Sequence, residues 1–142
     1  MSGKTPGAAR FQKIHYGDLN ARQKENHNFH KVAGHLADYG YNSLRLNDDW
    51  QGADFLAVHV GGDEVLKIQL KGRFGLYERY RGKGLYLAFV DGDECYVYPH
   101  DEILEAVFSA GKVAGTKAWA SGGYDWPRLP LWAKPILAPY RL

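Results

Sequence analysis

The sequence of 142 residues contains very little sulfur, with one cysteine and one methionine. Because Cys95 stands alone, the chain can form neither an internal disulfide nor a zinc site built from several cysteines. No apolar run reaches the roughly 20 residues that a membrane-spanning helix needs. The first ten residues also lack the apolar core of a secretory signal. These absences argue against a disulfide-stabilised scaffold, and they predict a cytoplasmic protein with no membrane partner.

Several common catalytic motifs are also missing. The chain contains no GxSxG, GxxxxGK(S/T) or GxGxxG segment, which leaves serine hydrolase, P-loop and Rossmann functions without support. Six histidines are present, but none follows the HExxH spacing of a zinc hydrolase. The sequence therefore directs attention to carboxylate, amide and lysine chemistry.

The composition is typical of one globular domain, with 45% apolar and 24% charged residues. Lysine and arginine total 18 against 16 acidic residues, which gives a net charge of +2. The basic excess lies in residues 1–31, 69–90 and 112–142, whereas 32–68 and 91–111 are acidic. A fold that gathers the basic segments on one face would attract a polyanion such as nucleic acid. The alternative is the mixed surface of an ordinary soluble protein.

Hydrophobic periodicity predicts a single α/β domain with a central mixed sheet flanked by helices. Residues 1–16, with scattered glycine and proline, are expected to form a flexible arm. Residues 17–110 would form the core. Residues 111–142 hold three of the four tryptophans and would form an irregular wrap of the same domain.

The first helix is expected from Leu19 to Tyr39, with Asp18 as its N-cap and Gly40 as its stop. Its apolar stripe includes Phe29 and Val32. Strands are expected at 43–46, 53–60, 64–71, 84–90 and 94–98, a second helix at 101–108, and loops at 47–52 and 73–83.

Three polar side chains converge at one end of the predicted hairpin 53–71. Asp54 begins its first strand, and Gln69 and Lys71 end its second. A hairpin sets the start of one strand beside the end of the next, and residues two apart share a face. A carboxylate, an amide oxygen and an ammonium group should therefore meet there. The alternative is an exposed strand end with an aspartate that only closes a loop.

Glu25 precedes Phe29 by four residues and Val32 by seven, so it extends the apolar stripe of the helix. We therefore expect its side chain to point inward. A buried carboxylate is costly unless it is paired or binds a metal. Lys71 or a shared cation is its expected partner.

These residues resemble the PD-(D/E)XK nuclease superfamily, whose restriction-endonuclease-like members include restriction enzymes, Holliday-junction resolvases and some homing endonucleases. The matching segments are GAD at 52–54 and QLK at 69–71, preceded by the helix that carries Glu25. The resemblance covers about residues 18–105. Ala53 stands in place of the motif's proline, and Gln69 in place of its second acidic residue, as in the QxK pattern of some homing-endonuclease-like members.

The resemblance implies a metal-dependent endonuclease that acts on DNA, often as a homodimer. It implies that Glu25, Asp54 and Gln69 hold Mg²⁺ or Mn²⁺, with the Leu70 carbonyl as a further ligand. Lys71 would orient or deprotonate the attacking water, or stabilise charge in the transition state.

Gln69 brings no negative charge, so two alternatives stay open: a module that binds nucleic acid without cutting it, and a protein-interaction domain. The basic residues of 73–83 alternate with aromatic ones, a pattern that suits phosphate contacts and base stacking. The same segment could instead be a solvated loop that packs its rings on the domain or on a second subunit. The predicted nucleic-acid-binding residues are Lys24, Arg73, Arg79, Arg81 and Lys83.

Overall fold

The computed structural model describes residues 10–113 and 116–142. Most of the predicted arm, residues 1–9, lies outside the described residues. The helices are α1 (Ala21–Ala37), α2 (His100–Ser109), α3 (Lys117–Ala120) and α4 (Ala133–Leu137). The strands are β1 (Tyr41–Trp50), β2 (Ala53–His59), β3 (Val65–Leu70), β4 (Gly75–Tyr77), β5 (Leu85–Asp91), β6 (Glu94–Pro99) and β7 (Gly123–Asp125).

The central sheet has five strands in the order β1-β2-β3-β5-β6. Its neighbours pair antiparallel except β3 and β5, which run parallel. On one face, α1 buries Phe29, Val32 and Leu36 against β2, β3 and β5. On the other, β5 and β6 pack against α2 and the C-terminal segment. The predicted α/β architecture, with a mixed sheet flanked by helices, is confirmed.

The helix α1 begins two residues later than expected, because Asn20 rather than Asp18 is its N-cap. The Asn20 side chain accepts a hydrogen bond from the backbone N–H of Gln23 at 2.8 Å, and the Gln23 side chain accepts one from the N–H of Asn20 at 2.9 Å. This reciprocal capping box satisfies two backbone donors at once. Asp18 instead ends a short 3-10 turn.

The predicted loop 47–52 is wrong, since β1 continues through it to Trp50. The register between β1 and β2 shifts between Arg45 and Trp50, and Gln51 and Gly52 turn the chain with φ of 53° and 88°. The Asp49 carboxylate accepts a hydrogen bond from the N–H of Gly52 at 2.8 Å. An edge strand needs no apolar side chains on its exposed side, so its polar residues resemble those of a loop.

The predicted loop 73–83 is also wrong, because it contains β4 and a 3-10 turn at Glu78–Tyr80. Parallel strands cannot be joined by a tight turn, so residues 71–84 form a crossover from β3 to β5. Phe74 and Leu76 are fully buried. β4 has only three residues, and the arginines on either side of it, Arg73 and Arg79, masked the strand in the sequence.

The C-terminal segment has more regular structure than the irregular wrap expected from its composition. Its strand β7 pairs antiparallel with β4 and forms a separate two-stranded sheet. Trp126 stacks on Phe74 with ring centroids 4.8 Å apart, and Trp119 and Trp132 pack against the same core. Within the described ranges, no helix is long and apolar enough to cross a membrane.

Two glycine-to-alanine substitutions should change the free energy of unfolding in opposite directions, because one glycine has open space around it and the other is tightly packed. Gly34→Ala adds a methyl group in α1 that meets no heavy atom within 4 Å, so it should raise the free energy of unfolding by about 0.5–1 kcal/mol. Gly123→Ala places a methyl group 2.8 Å from the backbone oxygen of Leu76, so it should lower that free energy by about 1–3 kcal/mol. Urea unfolding followed by circular dichroism measures both. A neutral Gly123→Ala variant would contradict tight β4–β7 packing.

Candidate active site

The four residues predicted to be catalytic line one cleft of about 390 Å³ at an end of the central sheet. Asp54 lies on β2, Gln69 on β3, and Lys71 directly follows β3. Phe55 pairs with Ile68, so the register continued by one residue sets Asp54 opposite Gln69. We call this the Asp54 cleft: it is lined by Asp54, Gln69, Leu70, Lys71 and Gly72 from the sheet side and by Tyr16, Ala21, Lys24, Glu25 and Asn28 from the α1 side.

Asp54 is a partly buried carboxylate whose charged form is disfavoured by its surroundings. Burial raises its pKa, and the negative charges of Glu25 and Asp49 raise it further. The N–H of Leu70 donates to Asp54 Oδ2 at 2.8 Å, and this bond and the Lys71 charge lower the pKa without cancelling the rise. A bound cation would stabilise the ionised form.

Gln69 presents an acceptor that the described protein does not satisfy. Its Oε1 is buried and has no hydrogen-bond partner in residues 10–113 and 116–142. A buried acceptor that lacks a hydrogen bond costs about 1–3 kcal/mol of stability. In native proteins such atoms usually contact water or an ion. Gln69 also lines the Asp54 cleft, so its amide is a candidate ligand for a group bound there.

Lys71 is held by two tyrosine rings of the segment 73–83, whose aromatic residues were expected to stack on bases or pack on the protein and not to contact Lys71. Its Nζ lies 4.5 Å from the ring centroid of Tyr77 and 5.0 Å from that of Tyr80. Ring faces attract cations, so the pair fixes the ammonium group at the sheet end. Burial and the charge of Asp125 raise the pKa of Tyr77 to about 12, so this ring stays neutral. Both tyrosines belong to the crossover, for which the sequence predicts a loop.

The expectation that Glu25 points inward is wrong, since its side chain is 61% exposed. Its carboxylate pairs with Arg45 at 3.0 Å rather than with Lys71, and a shared cation as its partner stays a prediction. Burial on α1 begins one turn later, at Phe29. The first turns of the helix stand beside the open cleft, so extending the apolar stripe to Glu25 overstated its burial. Glu25 nevertheless lines the cleft and raises the pKa of Asp54.

The predicted basic residues fall into two groups. Arg73 pairs with Asp125 at 2.6 Å, and Arg81 pairs with Glu78 and Glu105 at 3.4 and 3.7 Å. Their charges are therefore partly neutralised. The other three are Lys24, which lines the cleft, Arg79, whose guanidinium lies 4.7 and 4.8 Å from the Tyr77 and Tyr80 ring centroids, and the exposed Lys83.

The donors of the Asp54 cleft suit a hard divalent cation. Asp54 and Gln69 offer oxygen atoms, the ligands that Mg²⁺ prefers, and Mg²⁺ usually keeps several waters. The part of the chain that the structure describes contains no group of three His, Cys, Asp or Glu residues placed to hold a metal. Glu25 is the other carboxylate that lines the cleft, and its Oε1 is engaged by Arg45.

Comparison by sequence gives no match to a family model or to a curated protein. Comparison by structure finds similarity to the solved structure of a bacterial homing endonuclease, I-Ssp6803I, with a TM-score of 0.49 and 16% identity over 86% of each chain. At this identity the likeness concerns the fold alone, so the chemistry of the cleft is judged on its own residues.

Asp54→Asn should stabilise the fold at neutral pH. The pKa of Asp54 is raised in the folded state, so wild type loses stability as pH rises from the usual value of 3.8 through the folded pKa. Asparagine keeps an acceptor for the N–H of Leu70 and does not ionise. The gain should be small near pH 3 and grow above pH 3.8.

Urea unfolding between pH 3 and 7.5 in EDTA measures this difference. Asp63→Asn, in the exposed β2–β3 turn, is the matched control and should show no comparable gain. If Asp54→Asn were less stable than wild type at pH 7, the ionised carboxylate would be a net stabilising group. That result would contradict a raised pKa of Asp54 in the folded state.

Proposed function

We propose that this protein is a metal-dependent endonuclease that hydrolyses phosphodiester bonds in DNA. The observation that carries the proposal is the meeting of three groups in one cleft: the Asp54 carboxylate with a raised pKa, the unpartnered Oε1 of Gln69 and the ammonium group of Lys71. A purely structural role would not require the unsatisfied amide oxygen of Gln69 to lie beside the Asp54 carboxylate, whose ionisation is disfavoured.

The proposed reaction needs negative charge to be neutralised on the phosphoryl group. A water oxygen bonds to phosphorus, the bond from phosphorus to the leaving sugar oxygen breaks, and that oxygen takes up a proton. A bound Mg²⁺ or Mn²⁺ would supply Lewis acidity and a more acidic water. Asp54 and Gln69 would hold it through their side-chain oxygens.

Lys71 would provide a fixed positive charge to this reaction. Its Nζ is held between the Tyr77 and Tyr80 rings, so its side chain loses little freedom when substrate binds. From there it would donate hydrogen bonds to a phosphoryl oxygen or to the attacking water. A preorganised donor aimed at developing charge is among the strongest catalytic devices.

The substrate would approach over the rim formed by the crossover and α1. Lys24 lines the cleft itself, and Arg79 lies beside the same two tyrosines as Lys71. Contacts of this kind position the phosphate backbone without reading base sequence. Cutting both strands of a duplex would require two such sites, and we propose a homodimer as the simplest arrangement.

A second function is favoured by a specific observation. Gln69 is neutral, and the carboxylate of Glu25 is engaged by Arg45, so only Asp54 brings unpaired negative charge to the cation. A weakly charged site binds divalent cations poorly. The alternative function is therefore a module that binds nucleic acid without cleaving it.

Lys71→Ala and Asp54→Ala should each lower the rate of metal-dependent DNA cleavage by about 100-fold or more. The first change removes the fixed positive charge, and the second removes the carboxylate ligand. Nicking and linearisation of supercoiled DNA in Mg²⁺, Mn²⁺ and EDTA provide the rates, with linear and branched DNA tested in parallel.

Lys31→Ala and Asp63→Ala are the matched controls, since both side chains are exposed and lie outside the cleft. They should cleave like wild type. Cleavage by Lys71→Ala at the wild-type rate would reject the proposed site. Salt-sensitive binding without cleavage by wild type would favour the second function.

Arg79→Ala should weaken DNA binding more than Arg73→Ala does. Arg79 forms no ion pair with another described residue, whereas Arg73 is already paired with Asp125. Losing one phosphate contact should reduce the slope of log affinity against log salt by about 1. Fluorescence anisotropy over a range of salt concentrations measures this. Equal effects of the two substitutions would contradict a rim position for Arg79.

A further inference from the structure

A second cavity lies next to the Asp54 cleft and shares one residue with it. This cavity, of about 550 Å³, is lined by Arg22, Glu25, Asn26, Arg45, Leu46 and Asn47. We call it the Arg45 cavity. Glu25 also lines the Asp54 cleft, so its carboxylate stands at the border between the two spaces.

The lining of the Arg45 cavity suits an anion. It contains two arginines, two asparagine side chains and a single acidic residue, Glu25. Guanidinium groups bind phosphate through paired N–H donors, and amide N–H₂ groups add further donors. The volume is ample for a phosphodiester group. With Glu25 turned away, the described lining would carry two positive charges and no negative one.

Arg45 is oriented by contacts that do not depend on Glu25. Its Nη1 donates to Asn26 Oδ1 at 2.9 Å, and its guanidinium lies 4.8 Å from the ring centroid of Phe29. The remaining contact is the ion pair between Nη2 and Glu25 Oε1 at 3.0 Å. Loss of Glu25 would therefore leave Arg45 in place, with the N–H groups of Nη2 free to bind a ligand.

The Glu25–Arg45 ion pair is suited to exchange partners. The two side chains are 61% and 37% exposed, and ion pairs in contact with water contribute little stability. The Asp54 cleft, on the other side of Glu25, lacks a second free carboxylate for a cation. Glu25 thus has one possible partner on each side: Arg45 in the Arg45 cavity, and a cation held by Asp54 and Gln69 in the Asp54 cleft.

We propose that the Arg45 cavity binds a backbone phosphate of the nucleic acid beside the scissile one, and that the Glu25–Arg45 ion pair blocks it until a cation draws Glu25 into the Asp54 cleft. This inference rests on the proposed function and adds to it the order in which the cation and the DNA backbone bind. The cation and the phosphate then favour each other's binding, because both require that Glu25 leave Arg45. Such coupling is reciprocal.

The test is the affinity for a DNA duplex measured by anisotropy in Ca²⁺ or in EDTA at equal ionic strength, with the DNA checked for integrity by gel. Wild type should bind about 10-fold more tightly in Ca²⁺, within the usual range of such couplings. Glu25→Gln should bind about 3–10-fold more tightly than wild type in EDTA, since the loss of the negative charge weakens the contact that holds Arg45. Arg45→Gln should weaken binding in Ca²⁺ by a similar factor.

The double variant Glu25→Gln/Arg45→Gln separates release of Arg45 from a general change of charge. If Glu25 acts through Arg45, the gain in EDTA should vanish when Arg45 is absent. If Glu25 only repels the DNA at long range, the gain should persist, and the inference is overturned. Arg128→Gln, on an exposed C-terminal loop, is the control for loss of one arginine. Thermal unfolding of each variant verifies that it is folded.

The outcomes distinguish this inference from the proposed function. Cleavage that depends on Asp54 and Lys71, together with Arg45→Gln binding like Arg128→Gln, keeps the nuclease and rejects the Arg45 cavity. The predicted double-variant pattern without any cleavage keeps the cavity and rejects the nuclease. Absence of DNA binding by wild type in both Ca²⁺ and EDTA rejects both.

Discussion

The parallel pairing of β3 with β5 is the constraint on which the site depends. The chain leaves the sheet after Leu70 and returns only at Leu85, so fourteen residues must cross over. This departure frees the end of β3 from a tight turn and opens the Asp54 cleft. The crossover also carries Tyr77 and Tyr80 back to the Nζ of Lys71. A wholly antiparallel meander would close the same strand end with a hairpin.

The groups at this strand end work against the stability of the fold. A carboxylate with a raised pKa and an acceptor without a donor both lower the free energy of unfolding. Some buried groups of the core are satisfied: the Nε2 of His100 accepts from the N–H of Tyr77 at 2.9 Å, and the hydroxyl of Tyr98 donates to Gly75 O at 2.8 Å. Among the described residues, His27 Nδ1 and Ser43 Oγ are also buried without a partner, but neither residue lines the Asp54 cleft. A disfavoured charge and an unsatisfied acceptor in one cleft are typical of a functional site.

The sequence was sufficient to predict the parts of the molecule that follow local periodicity. The hairpin of β2 and β3, its turn and its register brought Asp54 and Gln69 together as expected. The position of Glu25 could not be derived, because its exposure depends on where the sheet stops beneath α1. The tyrosines around Lys71 depend on a long-range crossover, and Arg45 depends on β1 lying beside α1. Such contacts leave no periodic signal in the chain.

The pairing of β4 with β7 joins the crossover to a segment almost fifty residues further along. Trp126 covers Phe74, and Asp125 pairs with Arg73, so the C-terminal segment completes the packing of a crossover that Phe89 and Tyr98 already contact. During synthesis the sheet strands precede that segment by many residues. The walls of the cleft and the contacts of Tyr77 and Tyr80 with His100 thus precede the segment that completes β4. A growing chain would carry its carboxylate, amide and lysine before Asp125 could accept a hydrogen bond from the Tyr77 hydroxyl.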